Sequence, residues 1–267
     1  MSALFAPAPP AQRRIPYGAD PFQFGDLRLP VSAPPHPLVV VIHGGFWRAR
    51  YDLEHIGFLC QALTDAGYVT WSLEYRRLGN PGGGWPGTFL DVAAGVKYVG
   101  RLAERFPLDL ERVAVVGHSA GGHLALWVAG AGRVPPDSPI HVAAPFPVRG
   151  AVSLAGVADL RRAFDLGLSQ NVVCDFLGGS PQQYPDRYAA ASPIELLPLG
   201  VRQALVHGER DENVPFVLSQ GYYDQAVALG DPVRLLPLPD TAHFEPIDPL
   251  SDAWPTVREA VAWALAA

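Results

Sequence analysis

The stretch "VVGHSAGGHLAL", residues 115–126, decides how the rest of the chain is read. An apolar run ends at Gly117, a serine stands at position 119 among small residues, and a helix-like pattern begins at Gly121. This is the form G-x-S-x-G set between a strand and a helix, where a sharp turn holds a serine hydroxyl outward at a sheet edge. A Gly-Ser turn with no chemistry would account for the five residues alone. The apolar run before them and the helical pattern after them single out Ser119 as a nucleophile.

Working outward, short apolar runs recur on both sides: "PLVVVIHGG", "GYVTWSLEY", "VRGAVSLAG", "VRQALVHGE" and "PVRLLPLP". Continuous apolar runs of strand length suit strands covered on both faces. Helical patterns fall between them at 53–65, 88–105, 121–131, 216–229 and 254–265. The alternation predicts an α/β fold with a mostly parallel central sheet flanked by helices, built as one domain over 1–267. Three segments depart from the rhythm. Residues 1–20 read as a flexible lead-in, "GNPGGGWPG" at 79–87 as a loop, and 157–199 as a cap-like excursion over the functional edge.

Composition narrows the class. Hydrophobic residues make up 49% and charged residues 17%, which supports a buried core and excludes a disordered chain. The net charge of −6, without a Lys/Arg cluster, argues against nucleic acid or an anionic membrane as partner and leaves a small-molecule substrate. No apolar window has the length of a membrane span, and the start of the chain does not read as a secretory signal. Two cysteines, Cys60 and Cys174, make neither a disulfide framework nor a zinc site, so the expected location is cytoplasmic.

A serine hydroxyl needs a base within reach and an acid to orient that base. In a strand-elbow-helix fold of this kind they follow in the order serine, acid, histidine. His207 and His243 are the histidines beyond the next strands. "LVHGERDENVP" ends an apolar run with Asp211 on the following turn, at the edge where open α/β sheets place ligands. Asp211 is then the orienting acid and His243, in "LPDTAHFEP", the base. Asp240 is the main competitor to Asp211, with Glu209 and Glu212 weaker rivals. His43, His55, His118 and His123 read as structural or turn residues. Donors for a developing oxyanion would come from the backbone of Gly45 and Phe46, in "HGGFW", and of Ala120. Trp47, Trp85 and Phe244 adjoin these segments and read as pocket walls for a flat group.

With these residues in view, the chain resembles an α/β-hydrolase, in the branch that holds kynurenine formamidases and hormone-sensitive-lipase-like esterases. "HGGFW", "GHSAGGHLA", "HGERDENVP" and "AHF" carry the resemblance across residues 38–244, and "YGADPFQFGDLRLP" looks like the first sheet segment of such a fold. The resemblance implies a serine hydrolase working through an acyl-enzyme without a cofactor. An arylformamidase acting on N-formylkynurenine-like substrates leads, followed by a carboxylesterase for small acyl esters. A catalytically silent binding protein is the third reading, opposed by the intact Ser119, Asp211 and His243. No metalloprotease, P-loop or dinucleotide motif offers other chemistry.

Overall fold

Successive side chains of a strand point to opposite faces, so an apolar run must be covered twice. In β3 (His36–Ile42), Val39 and Val41 enter one hydrophobic cluster while Leu38, Val40 and Ile42 enter another. The computed structural model, which describes residues 7–266, sets this strand inside an eight-stranded sheet. Before β3 come β1 (Arg13–Pro16) and β2 (Phe24–Arg28). After it follow α1 (Gly57–Asp65), β4 (Val69–Leu73), α2 (Gly87–Lys97), α3 (Val99–Ala103), β5 (Leu108–His118) and α4 (Ala120–Gly130). The second half adds β6 (Gly150–Leu154), α5 (Leu160–Asp165), α6 (Leu168–Leu177), α7 (Pro185–Ala191), β7 (Arg202–Gly208), α8 (Val217–Ala228), β8 (Val233–Leu238) and α9 (Trp254–Leu265).

The strand order is β1-β2-β4-β3-β5-β6-β7-β8. Antiparallel pairing is confined to β1 with β2 and β2 with β4, and every other pair is parallel. This is the α/β-hydrolase fold. Leu124 and Trp127 of α4 cover one face, and Leu59, Leu63, Val257 and Val261 of α1 and α9 cover the other. Because β3, β5, β6 and β7 run in parallel, their carboxyl ends share one edge, which collects the loops after each of them.

Three expectations are corrected in detail. Residues 13–16 of the expected lead-in form β1, held by burial of Ile15 and by the bidentate pair of Arg14 with Asp26 on β2, at 2.8 and 2.9 Å. Residues 1–6 of that lead-in lie outside the described residues. The helix expected over 88–105 divides at Tyr98, whose N–H points to the carbonyls of both Ala94 and Val96. The pattern over 53–65 opens as a 3-10 turn at Leu53–Ile56, capped by the Asp52 carboxylate on the N–H of Glu54, before α1 begins.

Residues 157–199 carry α5, α6 and α7. Their apolar side chains, Val172, Val173, Phe176 and Tyr188 among them, join the cluster on the α4 face of the sheet. The segment is therefore packed onto the body of the domain. Arg48 donates to the carbonyl of Ser169 at 2.9 Å, which ties α6 to the loop after β3. No helix among the described residues is long and apolar enough to cross a membrane.

Candidate active site

Ser119 sits between β5 and α4 with φ +56° and ψ −120°, a left-handed conformation costly for a residue with a Cβ. The surroundings over-determine it. A Cβ on Gly117 would lie 2.0 Å from the carbonyl oxygen of Gly121, and one on Gly121 would lie 2.0 Å from that of Ile42. Only glycine fits at either position, so helix and strand can meet at an angle that projects Ser119 from the corner. Its N–H donates to the carbonyl of Leu154 on β6, at 2.8 Å.

The loop after β3 faces this corner. A Cβ on Gly44 would stand 3.0 Å from the Ser119 Cβ and 2.8 Å from the carbonyl oxygen of His118. Gly45, Phe46 and Trp47 follow with φ of +106°, +52° and +55°, three left-handed residues in succession. Two non-glycine residues in that region cost roughly 1–3 kcal/mol each and need support. A buried polar network supplies it. His43 Nε2 meets Glu74 Oε1 at 3.0 Å, Arg77 meets the same oxygen at 3.2 Å, and the Tyr75 hydroxyl donates to the His43 carbonyl at 2.8 Å. Burial alone would raise the Glu74 carboxyl, but His43 and Arg77 hold it below its ordinary value, so it stays an anion. The N–H groups of Gly45 and Phe46 are engaged by no other described residue. Ala120, first in α4, has no partner for its N–H within the helix.

Asp211 and His243 come together beyond β7 and β8. His243 Nδ1–H donates to Asp211 Oδ2 at 2.6 Å, with both side chains buried. Asp211 Oδ1 accepts from the N–H groups of Asn213 and Val214, each at 2.8 Å. Desolvation works to raise this carboxyl, yet the donors from His207 and His243 hold it well below the usual carboxylate range. His118 donates from Nε2 to the carbonyl of His243 at 2.9 Å, and the two rings lie 4.6 Å apart. The residue preceding Ser119 thus pins the histidine loop beside the elbow. Burial, then the nearby His243 and His55, push His118 well below the ordinary histidine value and keep the ring neutral.

Asp240 is 83% exposed and pairs with Arg210, while the imidazole for which it competes in the sequence is bonded to Asp211. Glu209 and Glu212 are also exposed. Trp47 is corrected: it exposes no surface, stacking on Phe176 at 4.6 Å and meeting His123 edge-on at 5.2 Å. A ring with no free face belongs to the core. Trp85 is corrected as well, since it lines a cleft of about 460 Å³ with Pro139, Tyr184, Arg187 and Ala190, to which Ser119, Asp211 and His243 do not contribute. Phe244 remains beside the site, 51% exposed, with its ring 5.0 Å from that of His243. The sequence gives no sign of Glu74, marks His118 only as a structural or turn residue, and offers His207 only as a histidine ahead of the acid. The only hint was the "HG" before Asp211, which marks a strand end without saying where the ring points.

A family model, BD-FAE, matches residues 26–225, from β2 through most of α8. The chain belongs to the BD-FAE family. Among individual proteins, this BD-FAE chain is 28% identical over 251 residues to esterase LipC of Mycobacterium tuberculosis, covering 89% of itself and 60% of that protein. It is 26% identical over 239 residues to the kynurenine formamidase of Danio rerio, covering 89% of itself and 76% of the relative. The chain spans between half and three fifths of the length of the first curated esterases it matches. A solved truncated carbohydrate esterase from gut microbiota superposes with a TM-score of 0.81 at 20% identity, covering 96% of both chains, and shares the fold. The family match ends before His243, whose place beside Asp211 rests on the hydrogen bond between them.

Proposed function

We propose that this BD-FAE chain is a serine hydrolase that cleaves small acyl esters through an acyl-enzyme. The hydrogen bond of 2.6 Å from His243 to Asp211, on the edge where Ser119 projects, is the observation that carries the reading. Ser119 Oγ attacks the acyl carbonyl as His243 Nε2 takes its proton. Asp211 keeps the other imidazole proton on Nδ1 and stabilises the cation that forms. The N–H groups of Gly45, Phe46 and Ala120 receive the negative oxygen of the tetrahedral intermediate. His243 then protonates the leaving alcohol, and water, activated by the same imidazole, releases the acid.

Esterase relatives support an ester as the bond cleaved, and no cofactor enters these steps. Free Cys60 and Cys174 suit a reducing compartment such as the cytoplasm. A second reading, hydrolysis of an aryl formamide, draws on the formamidase of Danio rerio, which this chain covers over more of its length than it does the esterases. The exposed Phe244 ring beside His243 offers a flat contact for an aryl group. Comparison of kcat/KM for acetyl and butyryl nitrophenyl esters with formate release from N-formylkynurenine separates the two. Higher values for the esters are expected. A formamide preferred over both esters would replace the first reading by the second, and no turnover of either kind would remove both.

A further inference from the structure

The steps proposed above leave one histidine unused. His207, next to last in β7, is wholly buried four residues before Asp211. Its Nε2 faces two acceptors, Asp211 Oδ2 at 3.2 Å and the Val214 carbonyl at 2.9 Å. A ring nitrogen between two acceptors must carry the proton, so Nε2–H donates to both. On the other side Nδ1 meets Ser219 Oγ of α8 at 2.7 Å, and in the neutral ring the hydroxyl donates to it. Asp211 Oδ2 is therefore shared by two imidazoles, His243 at 2.6 Å and His207 at 3.2 Å, while Oδ1 is held by two backbone donors.

We propose that His207, oriented by Ser219, is a positioning residue that fixes the Asp211 carboxylate and limits how strongly it stabilises the protonated form of His243. This rests on the serine-hydrolase reading. A carboxylate oxygen that accepts from two donors gives each less electron density than it would give one alone. Removal of the His207 donor leaves Oδ2 to His243, so the imidazolium gains stability and its proton comes off at higher pH. The groups facing His243 are Asp211 and the neutral His118 ring, with His55 beyond it at 6.2 Å from His118. Those facing His207 are Asp211, Ser219 and the edge-on ring of Phe216 at 5.6 Å. Asp211 is the one anion common to both, and the acid limb of the rate profile reads its coupling to His243.

Three variants test the assignment through the pH dependence of kcat/KM on a nitrophenyl acetyl ester. His207→Leu removes the donor, His207→Gln keeps an N–H near the position of Nε2, and Ser219→Ala removes only the group that orients the ring. The Leu variant is expected to lose roughly ten- to a hundredfold in kcat, as for a lost hydrogen bond to a charged group, and to move the acid limb upward by about half a unit to one unit. Gln should restore the limb and most of the rate, and Ser219→Ala should give a smaller shift of the same sign. A slower Leu variant with an unmoved limb and no rescue by Gln would reduce His207 to a structural residue. Unchanged kinetics in all three would overturn the proposal. If the Leu variant does not fold, the other two decide: an upward shift in Ser219→Ala that is absent in Gln upholds the role, and no shift in Ser219→Ala rejects it. Fluorophosphonate labelling of the unsubstituted protein at Ser119 is the separate control, because its failure would count against the serine-hydrolase reading itself.

Discussion

Ser119 and the loop at Gly44–Trp47 take a backbone course that glycines permit and a buried polar network supports, whereas Asp211 and His243 are brought together by a side-chain hydrogen bond. In the first region φ is positive at Gly45, Phe46, Trp47 and Ser119, and glycines stand where a Cβ would strike a carbonyl. In the second, Asp211 accepts from two imidazoles and two backbone N–H groups, and His243 is further tied through its carbonyl to His118. Backbone corners leave glycine signatures in a sequence. Side-chain networks leave only residue types in an order, and several arrangements satisfy the same order.

The contrast breaks first if the two halves do not act as one unit. Ser119→Ala and His243→Ala are each expected to lower kcat by roughly 10⁶, with the double variant little worse, as members of a catalytic triad behave. Steady-state kinetics on folded protein, judged by circular dichroism, would show it. Independent, multiplying losses would mean that the halves serve different steps. Next comes the acid. Asp211→Asn should cost about 10⁴ in kcat through the wrong imidazole tautomer, while Asp240→Asn, at an exposed pair with Arg210, should stay close to the unsubstituted enzyme. The reverse ranking would move the hydrogen-bonded acid to Asp240.

A backbone change sharpens the comparison from the other side. Gly44→Ala puts a methyl 2.8 Å from the His118 carbonyl and 3.0 Å from the Ser119 Cβ. The expected outcome is a loss of about 1–3 kcal/mol in stability through overpacking, together with a fall in kcat at nearly constant KM. Chemical denaturation and initial rates measure the two. Unaltered stability would show that the loop gives way easily and is not a fixed corner.

The smallest expected effect is a pH dependence of stability. Burial lowers His123 from 6.5 to about 4, while burial and then the neighbouring His43 lower His55 to a similar value. Between these values the unfolded chain binds more protons than the folded one, so stability falls as pH drops from about 6.5 towards 4. Asp211 and Glu74, both depressed, add to the loss as pH falls from the free carboxyl value through their folded values. His123→Gln should flatten part of the fall in Tm between pH 7 and 5. An equal slope in the variant would assign the acid sensitivity elsewhere.

The same contrast governs what the sequence discloses. β3, β4, β6 and the second half of β5, from Val113, are legible because they are buried on both faces and read as mostly apolar or β-branched runs. β1 is not, because only Ile15 of its four residues is buried and no pattern forms. The elbow and the HGG loop are legible from their glycines. Asp211 and His243 follow from order, and exposure of Asp240 supplies the physical ground for the choice between acids. The place of Trp47 is not legible, because nearness to Gly45 along the chain says nothing of where a left-handed residue sends its ring, which here is into Phe176 and His123. The role of His207 is not legible, because its contact with Asp211 depends on a turn after a strand, where no regular spacing implies that neighbours meet.

Site-resolved fluorophosphonate labelling tests the central claim most directly, that Ser119 is a nucleophile activated by Asp211 and His243. Intact mass and peptide mapping of the purified protein should show one adduct per chain, on the peptide that contains Ser119. The adduct should be absent in Ser119→Ala and form far more slowly in folded Asp211→Asn and His243→Ala. An adduct on another residue, or labelling of Asp211→Asn at the unsubstituted rate, would contradict the account.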